Sequence, residues 1–382
     1  MSEYQYYEFT AVDGPLTSRE QAELRALSTR ADITATSFVN TYHWGNFKGD
    51  PRKLMERYFD AHLYLANWGT RQLMLRLPKQ VLDPATVADY CPGGSASAWT
   101  TGKHVIVHLH REDEDGTDEF DIDGHGLLTS IIPARAALAA GDLRLLYLGW
   151  LRCVQSLELD ETRPEPPVPA GLGRLDASLT AAAEFLCVEP DLIAAAAAAS
   201  GQGAVEPTAG QLRSWITGLP TREKDELLTE FMTRGDGHLR GRLLRRYRAE
   251  HSSNASPTTA PRTAGALLAA AADLRAERER RDAEQREQER ARRERSEAAA
   301  RQRHLDTLAV DQPGAWQRVD SLIATKKPRE YDTAVQLLAD LRDLSKRDGT
   351  TPLFQQQLAE VRAVHARKPR LLERLDLAGL YA

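Results

Sequence analysis

From Ala266 to Gln312 the chain runs 47 residues without a glycine or a proline, and its middle, Arg275 to Arg303, holds no side chain more apolar than alanine. A stretch like this cannot be the core of a domain, since burial of apolar surface is the main force that drives folding. Its charges are nevertheless ordered. Glu277 precedes Arg281 by four residues, and Asp282 with Arg286, Glu289 with Arg293 and Glu297 with Arg301 repeat the offset. Acid before base at i,i+4 is the favourable order on a helix and contributes roughly 0.2–0.5 kcal/mol per pair. The run therefore predicts a long solvated helix that spaces or bridges. A coiled coil needs large apolar residues at its seam. Ala276, Ala283, Ala291 and Ala298 supply only a thin one, ending near Leu305, which suits weak pairing or docking on a partner. The charge of Arg275–Arg303, 11 arginines against 8 acids, is too balanced for a nucleic-acid-binding tail.

The arm has flanks of different character. At 382 residues the chain has room for two or three domains. Residues 1–163 predict an α+β domain ending in buried helices, and 164–174 a Pro-rich connector. Residues 175–251 predict a helical domain and 252–264 a flexible Ser/Thr/Pro linker. The charged arm (265–312) and a C-terminal helical module (313–382) complete the plan, so the fold class expected is α+β followed by all-α regions. The net charge of −5 hides a gradient: residues 1–165 carry 24 acids against 16 bases, whereas 263–382 carry 20 against 23. A polyanionic partner would meet the second half. No apolar stretch is long enough to span a bilayer, and the opening MSEYQYYEF has neither the basic nor the apolar region of a secretory signal. Cys91, Cys153 and Cys187 are odd in number and far apart, which fits a cytoplasmic protein without disulfides.

Within the first domain, Tyr4–Val12, Thr34–Trp44, Gln72–Leu77 and His104–His110 predict strands, with a weak one at Glu119–Ile122. Thr17 and Glu20 form a capping-box pair that opens a helix reaching about Ser28. Pro51 opens a second helix, expected to extend through Ala66. Leu54, Met55, Tyr58, Phe59, Ala61, Leu63, Leu65 and Ala66 would be its broad apolar face. The run Leu143–Leu159 is apolar nearly all round and predicts a buried helix. Near the C-terminus, Tyr331–Lys346, Leu353–His365 and Leu371–Leu377 have helical periodicity, and a Lys-Pro-Arg triplet precedes two of these helices, at 327–329 and 368–370.

Four groups of residues can carry chemistry. His104, His108 and His110 alternate along a strand and share a face with Ile106, beside the acidic run Glu112–Asp123. Imidazoles and carboxylates on one face can bind a transition metal and activate a water, as in a metal-dependent hydrolase; a polar, exposed strand face explains the same residues. The acidic run lacks the ligand order of an EF-hand. Trp44 and Lys48 lie in an aromatic, Gly-bounded loop that can grip a base or a peptide, or simply close a strand. Arg240, Arg242, Arg245, Arg246 and Arg248 make a basic helix suited to phosphates or to plain solvation. Lys326, Lys327, Arg329, Arg367, Lys368 and Arg370 form a second basic grouping around the two triplets. Leu179–Ser200 has a helix-turn-helix outline, but its second helix is nearly all alanine and has little with which to read bases. GxSxG, Walker A, GxGxxG and HExxH motifs are absent, and nothing implies a cofactor.

The runs GDLRLLYLGWLRCVQ and EPPVPAGLGRLDASLTAAAEFLCVEPDLIAAAAAAS, with the opening YQYYEFTAVDGPLT, resemble an uncharacterised protein family of actinobacteria and proteobacteria. That resemblance implies no activity. YDTAVQLLADLRDL and VRAVHARKPRLLERLDLAGL are similar to the helical tail of some bacterial SWIM zinc-finger proteins. The CxC and CxH ligands of that family are missing here, so a helical module without zinc is implied. The expectation is a non-enzymatic interaction or scaffold protein of a bacterial cytosolic complex, with protein partners. A nucleic-acid-associated protein and a metal-dependent hydrolase are the alternatives.

Overall fold

The computed structural model describes residues 4–112, 123–201, 207–234, 238–251 and 262–381. The chain divides after Arg278 into two compact units. The expected strand Glu119–Ile122, most of the acidic run and the linker 252–261 lie outside the described residues.

The first unit is built on a seven-stranded antiparallel sheet: β1 Gln5–Thr10, β2 Asp32–Ile33, β3 Ser37–Tyr42, β4 Ala61–Ala66, β5 Arg71–Pro78, β6 Ala96–Thr100 and β7 His104–Arg111, in the order β2-β3-β1-β4-β5-β7-β6. Its two faces bury different helices. One face, with Phe9, Phe38, Tyr64, Met74 and Ile106, packs on α1 Ser18–Leu27 and α2 Pro51–Arg57 through Leu24, Leu54 and Met55. The other, with Leu63, Leu65, Leu73, Leu75, Val107 and Leu109, packs on a larger helical layer. That layer comprises α3 Pro84–Tyr90, α4 Leu127–Ala139, α5 Arg144–Gln155, α6 Ala177–Phe185 and α7 Pro190–Ala197.

The capping box at Thr17 and Glu20 is formed as the sequence predicts. The helix opened by Pro51 is shorter than expected: α2 stops at Arg57, and Ala61–Ala66 is the central strand β4, buried at every position. A strand covered on both faces shows no alternation, so its apolar run mimics helical periodicity. Asp60 marks the break, its carboxylate accepting from the amides of Val12 and Asp13 at 2.8 and 2.9 Å. The expected strand Thr34–Trp44 holds only β3; β2 lies just before it, and Thr34 begins the turn between them, its Oγ1 accepting from the amide of Ser37 at 3.0 Å.

In α5, Gly149 lets the helix lie close on the sheet, where an added Cβ would fall 2.5 Å from a Leu109 methyl. The helix ends four residues before the apolar run does, because Leu157 takes a left-handed φ of +57° and turns its side chain out to solvent. The connector that follows contains no helix, and it is sealed to its surroundings. The Tyr90 hydroxyl donates to the Pro167 carbonyl at 2.6 Å, and Leu172 is buried in the same core as the sheet. The helices after the connector, α6 and α7, share that core, contributing Leu179, Ala182, Phe185 and Leu192. Alanines in α7 allow the close approach, so the helix-turn-helix outline is a packing element. Three further helices follow, α8 Ala209–Gly218, α9 Thr221–Arg234 and α10 Leu239–His251. α10 rests on α4, where a Cβ at Gly241 would meet the Ala139 carbonyl at 3.0 Å.

The long helix α11 spans Ala264–Val310. Its first turns belong to the sheet unit: Ala264, Leu267 and Ala271 are buried there, Arg275 pairs with Glu189, and Arg278 pairs with Asp191 at 2.9 Å. Its root is fixed by a short bridge between Pro164 and Thr263 and by Arg262, which donates to Glu165 at 2.8 Å and to the Ala195 carbonyl. From Ala283 to Ala300 every side chain except the half-buried Ala291 is exposed. Two of the expected ion pairs form differently. Arg293 pairs with Glu297 at 2.8 Å in place of Glu289, and Arg301 turns to Asp340 and Asp343 in place of Glu297. Exposed pairs differ by only tenths of a kcal/mol, so a partly buried carboxylate such as Asp340 wins the guanidinium.

The second unit takes the last turns of α11, with Leu305 buried, and four helices: α12 Gln312–Ala324, α13 Pro328–Arg347, α14 Thr351–Val364 and α15 Pro369–Leu377. Pro313 and Gly314 lie inside the first turn of α12, whose N-cap Asp311 accepts from the Gly314 amide at 3.0 Å. Val319, Ile323, Leu338, Leu341, Leu358, Leu371 and Leu375 make the core.

Candidate functional site

The strand β7 places His104, His108 and His110 on one face with Ile106, as alternation requires. The rings of His108 and His110 stack at 4.8 Å and 20°, as packed aromatics do. Trp99 stands edge-on to His108, and the Arg52 guanidinium covers Trp99 at 4.1 Å. Burial, with His110 and Arg52 adding to it, pushes the His108 pKa down to about 4, so this ring is neutral at physiological pH. His104 is also lowered, by burial and then by Arg76, against Asp60. Among the described residues, no three His, Cys, Asp or Glu side chains are arranged to hold a metal. The carboxylates from Asp113 to Asp121 lie outside those residues.

Trp44 and Lys48 follow β3, in a turn where Gly45 takes φ +77°. Tyr42 meets Tyr7 edge-on at 5.8 Å and completes the sheet face. Trp44 does not: it is 67% exposed, with the Arg30 guanidinium 5.5 Å over its ring. Lys48 is exposed.

The basic helix α10 spends its arginines within the protein. Arg242 pairs with Glu230 at 2.8 Å, and Arg246 pairs with Glu223 and Glu250. Arg245 donates to the Gln80 and Val81 carbonyls, and Arg248 to the Ala140 carbonyl at 2.9 Å. Arg240 is exposed and is the one of the five that makes no hydrogen bond or ion pair among the described residues, so the helix offers little free charge to a phosphate.

A buried charge cluster stands beside α10 that sequence reasoning missed. Arg135 of α4, 3% exposed, donates both terminal nitrogens to Asp13 at 2.9 and 2.6 Å. Arg76 grips Asp60 at 2.8 and 3.0 Å, and His238 Nε2 meets Asp13 at 3.0 Å. Burial alone would raise the Asp13 pKa, but hydrogen bonds from His238 and Arg135 outweigh it and hold the carboxyl below its usual range. The one signal in the sequence was a lone arginine within an apolar helix. Each carboxylate here is bound by arginine, so the cluster suits holding elements together better than proton transfer.

The second basic grouping is arranged differently. Residues 325–330 and 365–370 carry six Lys and Arg side chains against a single acid, Glu330. The two segments are the α12–α13 and α14–α15 connections, and they meet at one end of the C-terminal unit, where Lys368 Nζ donates to the Ile323 carbonyl at 3.1 Å. Lys326, Lys327, Arg329, Arg367 and Arg370 are exposed, and none has a carboxylate at ion-pair distance among the described residues. Elsewhere in this unit arginines are matched: Arg362 with Asp376 at 2.8 Å, Arg374 with Asp332 at 2.7 Å and Arg347 with Asp306 at 2.6 Å. His365 sits by the patch, its pKa lowered by burial and by Lys368 and partly restored by Asp320. The unmatched end is the feature of the chain best suited to meet a charged partner.

No helix among the described residues is long and apolar enough to cross a membrane. No family profile, no curated protein and no solved structure matches this chain.

Proposed function

We propose that the protein is a non-enzymatic interaction or scaffold protein of the bacterial cytoplasm, in which the sheet unit and the C-terminal helical unit each take partners and α11 joins them. The observation that carries this reading is the anchoring of α11. Its first turns are buried and ion-paired to Glu189 and Asp191, its last turns to Asp340 and Asp343, and the stretch between is solvated. A helix that exposes 17 of the 18 residues from Ala283 to Ala300 gains nothing from its own packing, so its use is in what it connects. Three free cysteines, two of them with thiols pushed up to about 12 by burial, fit a reducing compartment and argue against thiol chemistry.

The test is affinity capture of the tagged full-length chain from its own host, with partners identified by mass spectrometry. The reading expects specific proteins in near-stoichiometric amounts. An eluate indistinguishable from the untagged control removes it.

A further inference from the structure

The geometry points to the basic end of the C-terminal unit as a seat for the phosphodiester backbone of a nucleic acid. Lys326, Lys327, Arg329, Arg367 and Arg370, with Lys368 between them, are brought together by two connections that repeat the same Lys-Pro-Arg triplet. The repetition presents similar groups twice, which is the pattern a polymer of evenly spaced anions can use. In each triplet the lysine is the N-cap and proline opens the helix, with no side-chain cap on α13 or α15.

A bland account explains part of the patch. Cations just beyond the C-termini of α12 and α14 complement those helix dipoles, and Lys368 on the Ile323 carbonyl does so directly. That account covers Lys326, Lys327, Arg367 and Lys368 and leaves Arg329 and Arg370, which lie in the first turns of α13 and α15 where a cation opposes the dipole, in a unit whose other arginines mostly find acids.

The choice among anionic partners follows from what the patch lacks. A protein interface needs a desolvated apolar or aromatic centre. Between these cations lie Thr325, Pro328, Ala366 and Pro369, with no exposed aromatic or large aliphatic side chain in either connection. A nucleic acid backbone binds through counterion release and requires only cations placed against phosphates. The patch therefore fits a phosphate polymer better than an acidic peptide. The proposal names a partner for one of the two modules and stands apart from the spacing role of α11.

The experiment uses the full chain and a short fluorescein-labelled DNA duplex, followed by anisotropy across a salt series. Binding is expected at low salt, with a log–log slope of about −4 to −5, so that affinity falls on the order of 10³-fold between about 50 and 200 mM salt. Arg329→Glu/Arg370→Glu is expected to weaken binding by about 30-fold or more at fixed salt. Arg303→Glu/Lys346→Glu, which makes the same charge change outside the two Lys-Pro-Arg connections, on α11 and in the last turn of α13, is expected to change it by less than about threefold. No binding of the duplex at low salt overturns the proposal, as does equal loss in the two variants. Tighter binding to polyglutamate or to phosphatidylglycerol vesicles than to the duplex assigns the patch to those partners and also overturns it. Duplex binding without captured host proteins would leave this site standing and remove the scaffold reading; the reverse result would do the opposite.

Discussion

Tyr147 and Glu165 meet inside the sheet unit, where the phenol donates to a carboxylate only 8% exposed. Arg262 closes on the same carboxylate from the other side, through Nε at 2.9 Å and Nη2 at 2.8 Å. Burial, then the hydrogen bond to Glu165, raises the tyrosine pKa far above its usual value, so the hydroxyl keeps its proton at any physiological pH. This clasp holds the root of α11. Glu165→Ala leaves Arg262 without its counter-charge and is expected to cost about 2–4 kcal/mol. Urea denaturation checks the magnitude, and limited proteolysis should find new cleavage between residues 262 and 271.

Asp60 accepts four hydrogen bonds, from the amides of Val12 and Asp13 and from two nitrogens of Arg76. Replacing it by alanine strands a 12%-exposed guanidinium and two backbone donors together. Asp60→Ala is expected to destabilise by about 3–5 kcal/mol, seen as a lower urea midpoint at unchanged m-value. A loss below about 1 kcal/mol would show that water replaces the carboxylate freely.

His62 is fully buried, stacked on Phe9 at 3.9 Å, with Nδ1 2.9 Å from the Glu8 carbonyl. Burial pushes its pKa down to about 3. The unfolded chain titrates near about 6.5, so between these values it binds a proton that the fold refuses, and stability falls as pH falls. About 2 kcal/mol should be lost between about pH 6.5 and 5 from this residue alone. Glu8 works in the opposite sense. Burial raises its pKa, against the hydrogen bond from Tyr6, so its contribution is present below the unfolded value and is lost as pH rises through the folded one. His62→Phe should flatten the dependence of melting temperature on pH between about 5 and 7, and a slope equal to that of the wild type would assign it elsewhere.

Asp340 is 5% exposed and receives Arg301 and, at 2.8 Å, His304. Burial would raise its pKa, but these two partners outweigh that and lower it. Asp340→Asn removes the charge that both recognise. Amide exchange over residues 298–306 is expected to rise about tenfold, equivalent to roughly 1.4 kcal/mol, with residues 283–295 unchanged. Equal exchange in the two proteins would mean that Leu305 alone holds the end of the arm.

The order of an α+β region, an arm and a helical region was legible because each has its own period or lack of one. The Thr17–Glu20 cap and the Leu-rich helices of the C-terminal unit were readable for the same reason. Ala61–Ala66 was not, since a strand buried on both faces presents no alternation. Ala96–Thr100 was missed because Trp99 stands there among small and hydroxyl side chains, and α3, opened by Pro84 with Asp83 as its cap, was missed as well. The charged residues show the widest gap. Ten basic residues lie in the two groupings on α10 and around the Lys-Pro-Arg triplets apart from Lys368, and sequence alone could not separate those already bound from those left open. Arg245 and Arg248 end on backbone carbonyls of segments more than a hundred residues away. That partnership belongs to the tertiary fold, and no local pattern announces it.

The bridge between Pro164 and Thr263 has a topological consequence. The chain leaves the sheet unit's framework at one point and comes back to that same point 99 residues later, so α6 to α10 form a closed detour whose two ends touch. The stretch of that excursion between α7 and α10 can change in length without changing the separation of its two ends. α6 and α7 plug the core, and α10 is tied to the framework at the other end of the detour, with His238 on Asp13, Arg245 on the Gln80 and Val81 carbonyls and Arg248 on the Ala140 carbonyl. α8, which buries no side chain, marks where new sequence could enter at least cost.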